Sequence, residues 1–290
     1  EGSLKARFCV AGREALYGYC QSRGIAYARC AKLIVATEEG DRVALRGLQR
    51  AGQANGVGDL EIIEGDAARA MEPALRCVAA LHSPSTGIID SHQLMLAYQG
   101  EAEADGAVIA FHSRVLGGAC RGDGVLVRVA GIAHETELLC RHLVNAAGLE
   151  AQAVASSLEG LPQASVPRRY LSKGSYFTMS GSTPFTRLIY PVPGSASLGI
   201  HFSRDLSGGA RFGPDQEWVE NVDYAVDPVR AEAFYAAVRR YYPDLSEGAL
   251  QPGYSGIRAK VQAPGEAVAD FVIQGPGDHG VPGLVNLYGI

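Results

Sequence analysis

The apolar pattern of the chain changes period near Pro162, and that change limits the folds open to it more than any other feature. Before it, helix-like and strand-like stretches alternate. From Leu4 to Arg23, apolar residues at Leu4, Phe8, Ala11, Ala15 and Tyr19 mark one face of a helix, with Gly24 placed to end it. Residues 32–36 read as a short buried strand, and 38–54 as a second helix closed by Asn55-Gly56. A helix with Ser91 as N-cap is expected to reach about Ala104 and stop near Gly106. A strand over 108–112 and a hairpin of 125–129 with 136–139 follow, and then an apolar strand from Leu143 that runs into Gly148. That alternation indicates an α/β layer.

Beyond Pro162 strand-like runs dominate, at 176–179, 188–190, 198–202 and 210–212, separated by Gly, Pro and Ser turns. They predict an antiparallel sheet. One strong helix interrupts it: Asp227 is the N-cap, Pro228 the first helical residue, and Val229, Ala233, Phe234, Ala237, Val238 and Tyr241 the buried stripe, with Pro243 ending it. Strands return at 256–261, 271–273 and 284–288, and there are no internal repeats.

With 290 residues, 47% of them hydrophobic and 20% charged, the composition is globular. No apolar run approaches the roughly 18–20 residues of a membrane-spanning helix, and the start does not read as a signal peptide. A net charge of −5 argues against wide phosphate-backbone contact, so small molecules rather than nucleic acid are the expected partners. The six cysteines show no C-x-x-C or metal-finger spacing and read as reduced thiols, which suggests a cytoplasmic setting, with peripheral membrane attachment left open. The chain opens without methionine and enters a helical pattern almost at once; both ends read as cut from a longer protein.

Gly275-Pro276-Gly277-Asp278-His279-Gly280 matches G-x-G-x-x-G literally. That motif must open a helix inside a βαβ unit to deliver a pyrophosphate to the helix N-terminus. Pro282 and Gly283 would weaken such a helix and a strand follows, so the match is rejected. No G-x-S-x-G, H-E-x-x-H or paired His/Cys spacing is present, and no metal is expected. Ala146-Ala147-Gly148, ending an apolar strand, is either an ordinary turn or a place where a flat ligand meets bare backbone. In Ser255-Gly256-Ile257-Arg258-Ala259-Lys260 two cations lie two apart on a strand and share a side. They belong either to a solvated edge or to a carboxylate clamp. His201, in an apolar run, is either a core histidine or a catalytic one.

In their order along the chain, several segments resemble the FAD-dependent oxidoreductases of the D-amino-acid oxidase superfamily, in particular the branch that acts on L-2-hydroxyglutarate. The similar stretches include Lys32-Leu33-Ile34-Val35-Ala36, His82-Ser83-Pro84-Ser85-Thr86-Gly87-Ile88-Ile89-Asp90, 143–148, 189–193, Leu198-Gly199-Ile200-His201-Phe202, Gly256-Ile257-Arg258 and Asn286-Leu287-Tyr288-Gly289-Ile290. The resemblance implies an α/β FAD-binding domain, glutathione-reductase-like and discontinuous (1–30, 83–165 and 253–290), with an inserted antiparallel substrate domain (31–82 and 166–252). The family's N-terminal phosphate loop is absent from this sequence, so weak binding of FAD by the chain as it stands is expected.

By the same resemblance, Val115 lies at the adenine side of FAD, and Ala147, Gly148, Gly256, Ile257, Tyr288 and Gly289 pass close to the cofactor. Arg258 matches the arginine that holds the substrate carboxylate, with Lys260, Tyr176 and Tyr190 also facing flavin or substrate. The implied reaction is hydride transfer from the α-carbon of a 2-hydroxy acid to flavin N5, with His201 as the candidate base and His279 and His82 behind it. The electron acceptor, whether oxygen, a quinone or another flavoprotein, stays open. Two rivals are an amino-acid oxidase of the glycine or sarcosine type, using the same clamp, and a non-catalytic domain that has lost FAD.

Overall fold

The computed structural model describes residues 2–132, 134–192 and 199–290. Helix α1 spans Leu4–Arg23, where Ser3 accepts from the Ala6 amide and Gly24 closes the far end in the left-handed conformation. Strands β1 (Tyr27–Ala28) and β2 (Lys32–Ala36) follow. The expected helix over 38–54 forms as a short 3-10 turn feeding α2 (Arg42–Ala54). The stretch after Gly56, too short in each apolar run to show a period, folds as β3 (Glu61–Glu64), α3 (Gly65–Met71) and β4 (Ala79–Ser83).

Strand β5 (Ile88–Ile89) leads into α4 (Ser91–Ala104). Its cap is Asp90 rather than Ser91, since the Asp90 carboxylate accepts from the His92 and Gln93 amides at 3.0 Å. The strand expected over 108–112 does not form. Val108 is 90% exposed, and pairing begins only at Arg114, because apolar content makes a strand only beside a partner. From there β6 (Arg114–Arg121), β7 (Gly124–Ala130) and β8 (Glu135–Cys140) form an antiparallel meander, followed by β9 (Leu143–Asn145), α5 (Ala151–Ser156) and β10 (Leu158–Glu159).

The second half is strand-rich, as its pattern predicts. It contains β11 (Tyr170–Met179), β12 (Leu188–Pro191), β13 (Phe202–Arg204), β14 (Ala210–Phe212) and β15 (Glu217–Val219). Of the strand expected over 198–202 only Phe202 is in β13, and Leu198 lies outside the described residues. Asp227 caps a 3-10 turn that enters α6 (Ala231–Val238), and β16 (Leu250–Lys260), β17 (Val272–Gln274), α7 (Pro276–His279) and β18 (Leu284–Tyr288) complete the chain. The rejected glycine motif is one helical turn between two strands, with Asp278 accepting from the Gly275 amide.

The chain divides into two units, Glu1–Glu101 with Lys173–Glu217 and Asp223–Gly256, and Ala102–Ser172 with Trp218–Val222 and Ile257–Ile290. In the first, a largely antiparallel sheet runs in the order β11, β14, β13, β12, β2, β4, β3, with β12 and β2 its parallel pair. One face buries Leu33, Ile189, Phe177, Phe202 and Phe212 against Phe234, Val238 and Tyr241 from and just after α6. The other face buries Ile34, Ala36 and Leu81 against Leu45 of α2, but only over β2, β4 and β3. The second unit packs the meander, α5 and the sheet β17-β18-β9 around Val125, Val127, Ala155, Leu158 and Leu284. This is the mixed architecture of α/β layer plus antiparallel sheet that the sequence pattern indicates.

Candidate functional site

The face of the first unit's sheet that α2 leaves uncovered carries a row of residues set by register. Phe177 pairs with Phe212, Phe202 with Phe212, and Ile189 with Phe202. One step along, the same registers align Tyr176, Gly213, His201 and Tyr190. The Gly213 amide donates to the His201 carbonyl at 2.9 Å, which confirms the step. Tyr190 and His201 stack nearly parallel, 4° apart with ring centroids at 3.7 Å, and Tyr176 stacks on Tyr254 of β16 at 4.6 Å. Gly213 is required between them: its φ is +139°, and a Cβ there would come within 2.8 Å of the Tyr176 ring. The row ends on β2, where Tyr190 lies beside Ile34 and Leu188 beside Lys32. The Lys32 ammonium sits 5.1 Å from the Tyr190 ring centroid, and burial pushes its pKa down.

Strand alternation places Tyr254, Gly256, Arg258 and Lys260 on one side of β16. Arg258 is exposed, and among the described residues no carboxylate pairs with it, which suits a guanidinium that waits for a ligand's carboxylate.

In the second unit β9 and β18 run parallel, Leu143 beside Leu284 and Asn145 beside Asn286, so both chains leave the sheet at the same edge. Carboxyl ends of parallel strands are where α/β sheets receive ligands. Here the exits are Ala147-Gly148 and Gly289, with φ +57° at Gly148 and +71° at Gly289, and a Cβ on Gly148 would meet nothing within 4 Å. FAD, the cofactor that the resemblance implies, fits such an edge, because a flat group can lie against backbone there with no side chain between. Val115, on β6, packs against the core of this same unit, as does the Tyr288 ring, whose hydroxyl is buried without a partner and pushed up to about 12 by burial. Only the Tyr288 backbone and Gly289 therefore face the edge.

The other two candidate bases stand apart from the row. His82 pairs with Leu33 and Glu61 and so points to the opposite face of the sheet from Tyr190 and His201. His279 is buried on α7, its Nδ1 accepting from the Val281 amide and its Nε2 unpartnered. Lys32 and Gly213 were missed by the sequence reading. Alternation along Lys32–Ala36 puts Lys32 on the side away from Leu33 and Val35, but only pairing with β12 brings it to Tyr190.

Among the described residues no group of three His, Cys, Asp or Glu side chains could hold a metal ion, and no helix is long and apolar enough to cross a membrane. The family model described as FAD dependent oxidoreductase matches residues 1–290. The chain is 43% identical over 327 aligned positions to the mitochondrial L-2-hydroxyglutarate dehydrogenase of Arabidopsis thaliana, covering 99% of this chain and 68% of that protein. It is 27% identical to the L-2-hydroxyglutarate dehydrogenase of Escherichia coli K12, covering 93% of this chain and 72% of the relative. Among solved structures, the L-α-glycerophosphate oxidase of Mycoplasma pneumoniae with FAD bound superimposes with a TM-score of 0.85 at 21% identity, over 99% of this chain and 75% of that one. Glycine oxidase from Geobacillus kaustophilus gives 0.79 at 16%, with 99% and 75% covered. The uncovered row of aromatic and cationic side chains, the paired glycine exits and the match along the whole chain agree: this chain belongs to the FAD-dependent oxidoreductase family.

Proposed function

We propose that the protein oxidises the 2-hydroxyl of a small 2-hydroxy acid, L-2-hydroxyglutarate first among them, to the 2-oxo acid. FAD, when bound, supplies the hydride acceptor. The observation that carries the reading is the register-aligned row of Tyr176, His201 and Tyr190, with the His201 imidazole stacked flat on Tyr190 on the part of the sheet face that α2 leaves uncovered. His201 takes the hydroxyl proton as the α-hydrogen leaves, a role suited to an imidazole, whose ring nitrogen can accept a proton. Arg258, with Lys260 two residues on, grips the C1 carboxylate and fixes the direction of the α-hydrogen. The substrate is drawn from the relatives at 43% and 27% identity, both named as L-2-hydroxyglutarate dehydrogenases.

Residues 1–30, 83–165 and 253–290 are proposed to serve FAD, and 31–82 with 166–252 the substrate. All six cysteines are free, which favours a reducing compartment; the cytoplasm and the mitochondrial matrix both meet that condition. The test is turnover of the FAD-loaded protein with an artificial acceptor on L-2-hydroxyglutarate, D-2-hydroxyglutarate, glycine and sarcosine, followed by oxygen, quinone and flavoprotein acceptors. Oxidation of the L-hydroxy acid alone is the expected result. Preference for an amine substrate, or no flavin uptake at all, would overturn it.

A further inference from the structure

Lys32 is a partly buried cation with no counter-ion among the described residues. Several basic side chains of its unit are matched by carboxylates: Arg187 with Glu72, Arg211 with Asp205, Arg230 with Asp215, and the buried Lys173 with Asp223. Among the described residues no carboxylate approaches Lys32. Its neighbours across the sheet are Leu188 and Ser83, and its ammonium lies over the Tyr190 ring at 5.1 Å. That position is costly. Desolvation disfavours the charged form, as the lowered pKa reflects, and one ring face returns little of the lost hydration. A methionine there would fill similar space without the desolvation cost, so the charge points to an anion that arrives.

Lys32, Tyr190 and His201 form one continuous column of cation, phenol ring and imidazole, joined by contacts of 5.1 and 3.7 Å. A ligand whose hydroxyl sits at the imidazole and which extends over Tyr190 brings its far end to the ammonium. We propose that Lys32 recognises the second carboxylate of a dicarboxylic 2-hydroxy acid, and so selects dianionic substrates over monocarboxylates of the same length. This rests on the assignment of His201 to the reacting hydroxyl made under the proposed function. An ammonium suits the far end of a flexible chain, because it is a point charge with three rotatable donors and accepts a carboxylate from many directions. Its effect is selection rather than chemistry.

The experiment compares wild type, Lys32→Met and Lys32→Arg, each loaded with FAD. The first readout is the ratio of kcat/KM for L-2-hydroxyglutarate to that for L-2-hydroxypentanoate, which has the same chain length and no second carboxylate. Lys32→Met should lower this ratio by roughly 10- to 1000-fold, chiefly through KM for the dicarboxylate, and Lys32→Arg should recover part of it. The second readout is independent of turnover: glutarate, which carries both carboxylates and no hydroxyl, should raise the thermal midpoint of wild type more than pentanoate does, and this difference should vanish in Lys32→Met. The midpoint of unliganded Lys32→Met should equal or exceed that of wild type. An unchanged substrate ratio, or equal glutarate shifts in wild type and Lys32→Met, would overturn the proposal. If wild type turns over neither hydroxy acid, the reaction assigned above fails, and glutarate binding still decides for or against Lys32.

Discussion

Ala31 holds a backbone conformation that alanine resists. Its φ is +60°, its amide donates to the Thr86 carbonyl at 2.9 Å, and its carbonyl accepts from Leu188 at 3.2 Å, so the turn into β2 is held on both sides. A non-glycine residue there costs about 1–2 kcal/mol, against which the extra freedom of a glycine in the unfolded chain weighs about 0.5–1. Ala31→Gly should therefore stabilise by roughly 0.5–1 kcal/mol, read as a rise of about 1–4 °C in the thermal midpoint. Arg258 gives the opposite kind of test. Because an ammonium cannot reproduce the planar fork, Arg258→Lys should lose about 30-fold or more in kcat/KM although charge is kept, and Arg258→Ala more still. FAD content and midpoint should stay near wild type, since Arg258 is exposed; joint loss of flavin and stability would mark it as structural. At Tyr288 the buried hydroxyl has no partner, so Tyr288→Phe should cost less than about 1 kcal/mol at pH 7. Burial pushes its folded pKa up to about 12, above the ordinary phenol value, so its contribution is complete below about pH 10 and is lost as pH rises toward 12. A stability profile from pH 9 to 12 should be flatter in Tyr288→Phe.

At the scale of elements, the strand that carries Tyr190 is positioned by a carboxylate far away in sequence. Glu72, 1% exposed and just beyond α3, accepts from the amides of Thr186 and Arg187 and from the Thr186 hydroxyl at 2.6 Å, and pairs with the Arg187 guanidinium at 3.1 Å. These bonds hold the entry to β12. Glu72→Gln turns donors toward donors and should destabilise by about 2–4 kcal/mol, whereas Thr186→Val, which removes one bond, should cost about 1. Chemical denaturation of both variants checks the order. The elements themselves were unevenly legible. α1, β2, β14 and β18 have the bounds their apolar spacing indicates, because each has a cap or a clean run. Residues 57–83 were opaque, and 108–112 read as a strand although nothing pairs with it: a strand exists only through its neighbour, and no local pattern names the neighbour.

For the molecule as a whole, a ligand that binds only the folded state stabilises it by mass action, about 2.7 kcal/mol at a hundredfold excess over Kd. FAD should therefore raise the thermal midpoint. Gly148→Asn should abolish that rise with little change in the ligand-free midpoint, since asparagine tolerates the left-handed backbone while its side chain fills the open space at the strand exit. An undiminished FAD shift would show that the cofactor does not use this edge. The α/β layer, the antiparallel sheet, the helix that starts at Asp227-Pro228 and the placing of the two cations Arg258 and Lys260 two apart on one strand were all determined by the sequence alone, because periodicity, caps and side-chain chemistry are local properties. The stack of Tyr190 on His201, the reversal of His82 to the other face and the placement of Lys32 were decided only by the tertiary structure. Each depends on which strands pair and in what register, and a shift of one residue would have turned every one of these side chains to the opposite side.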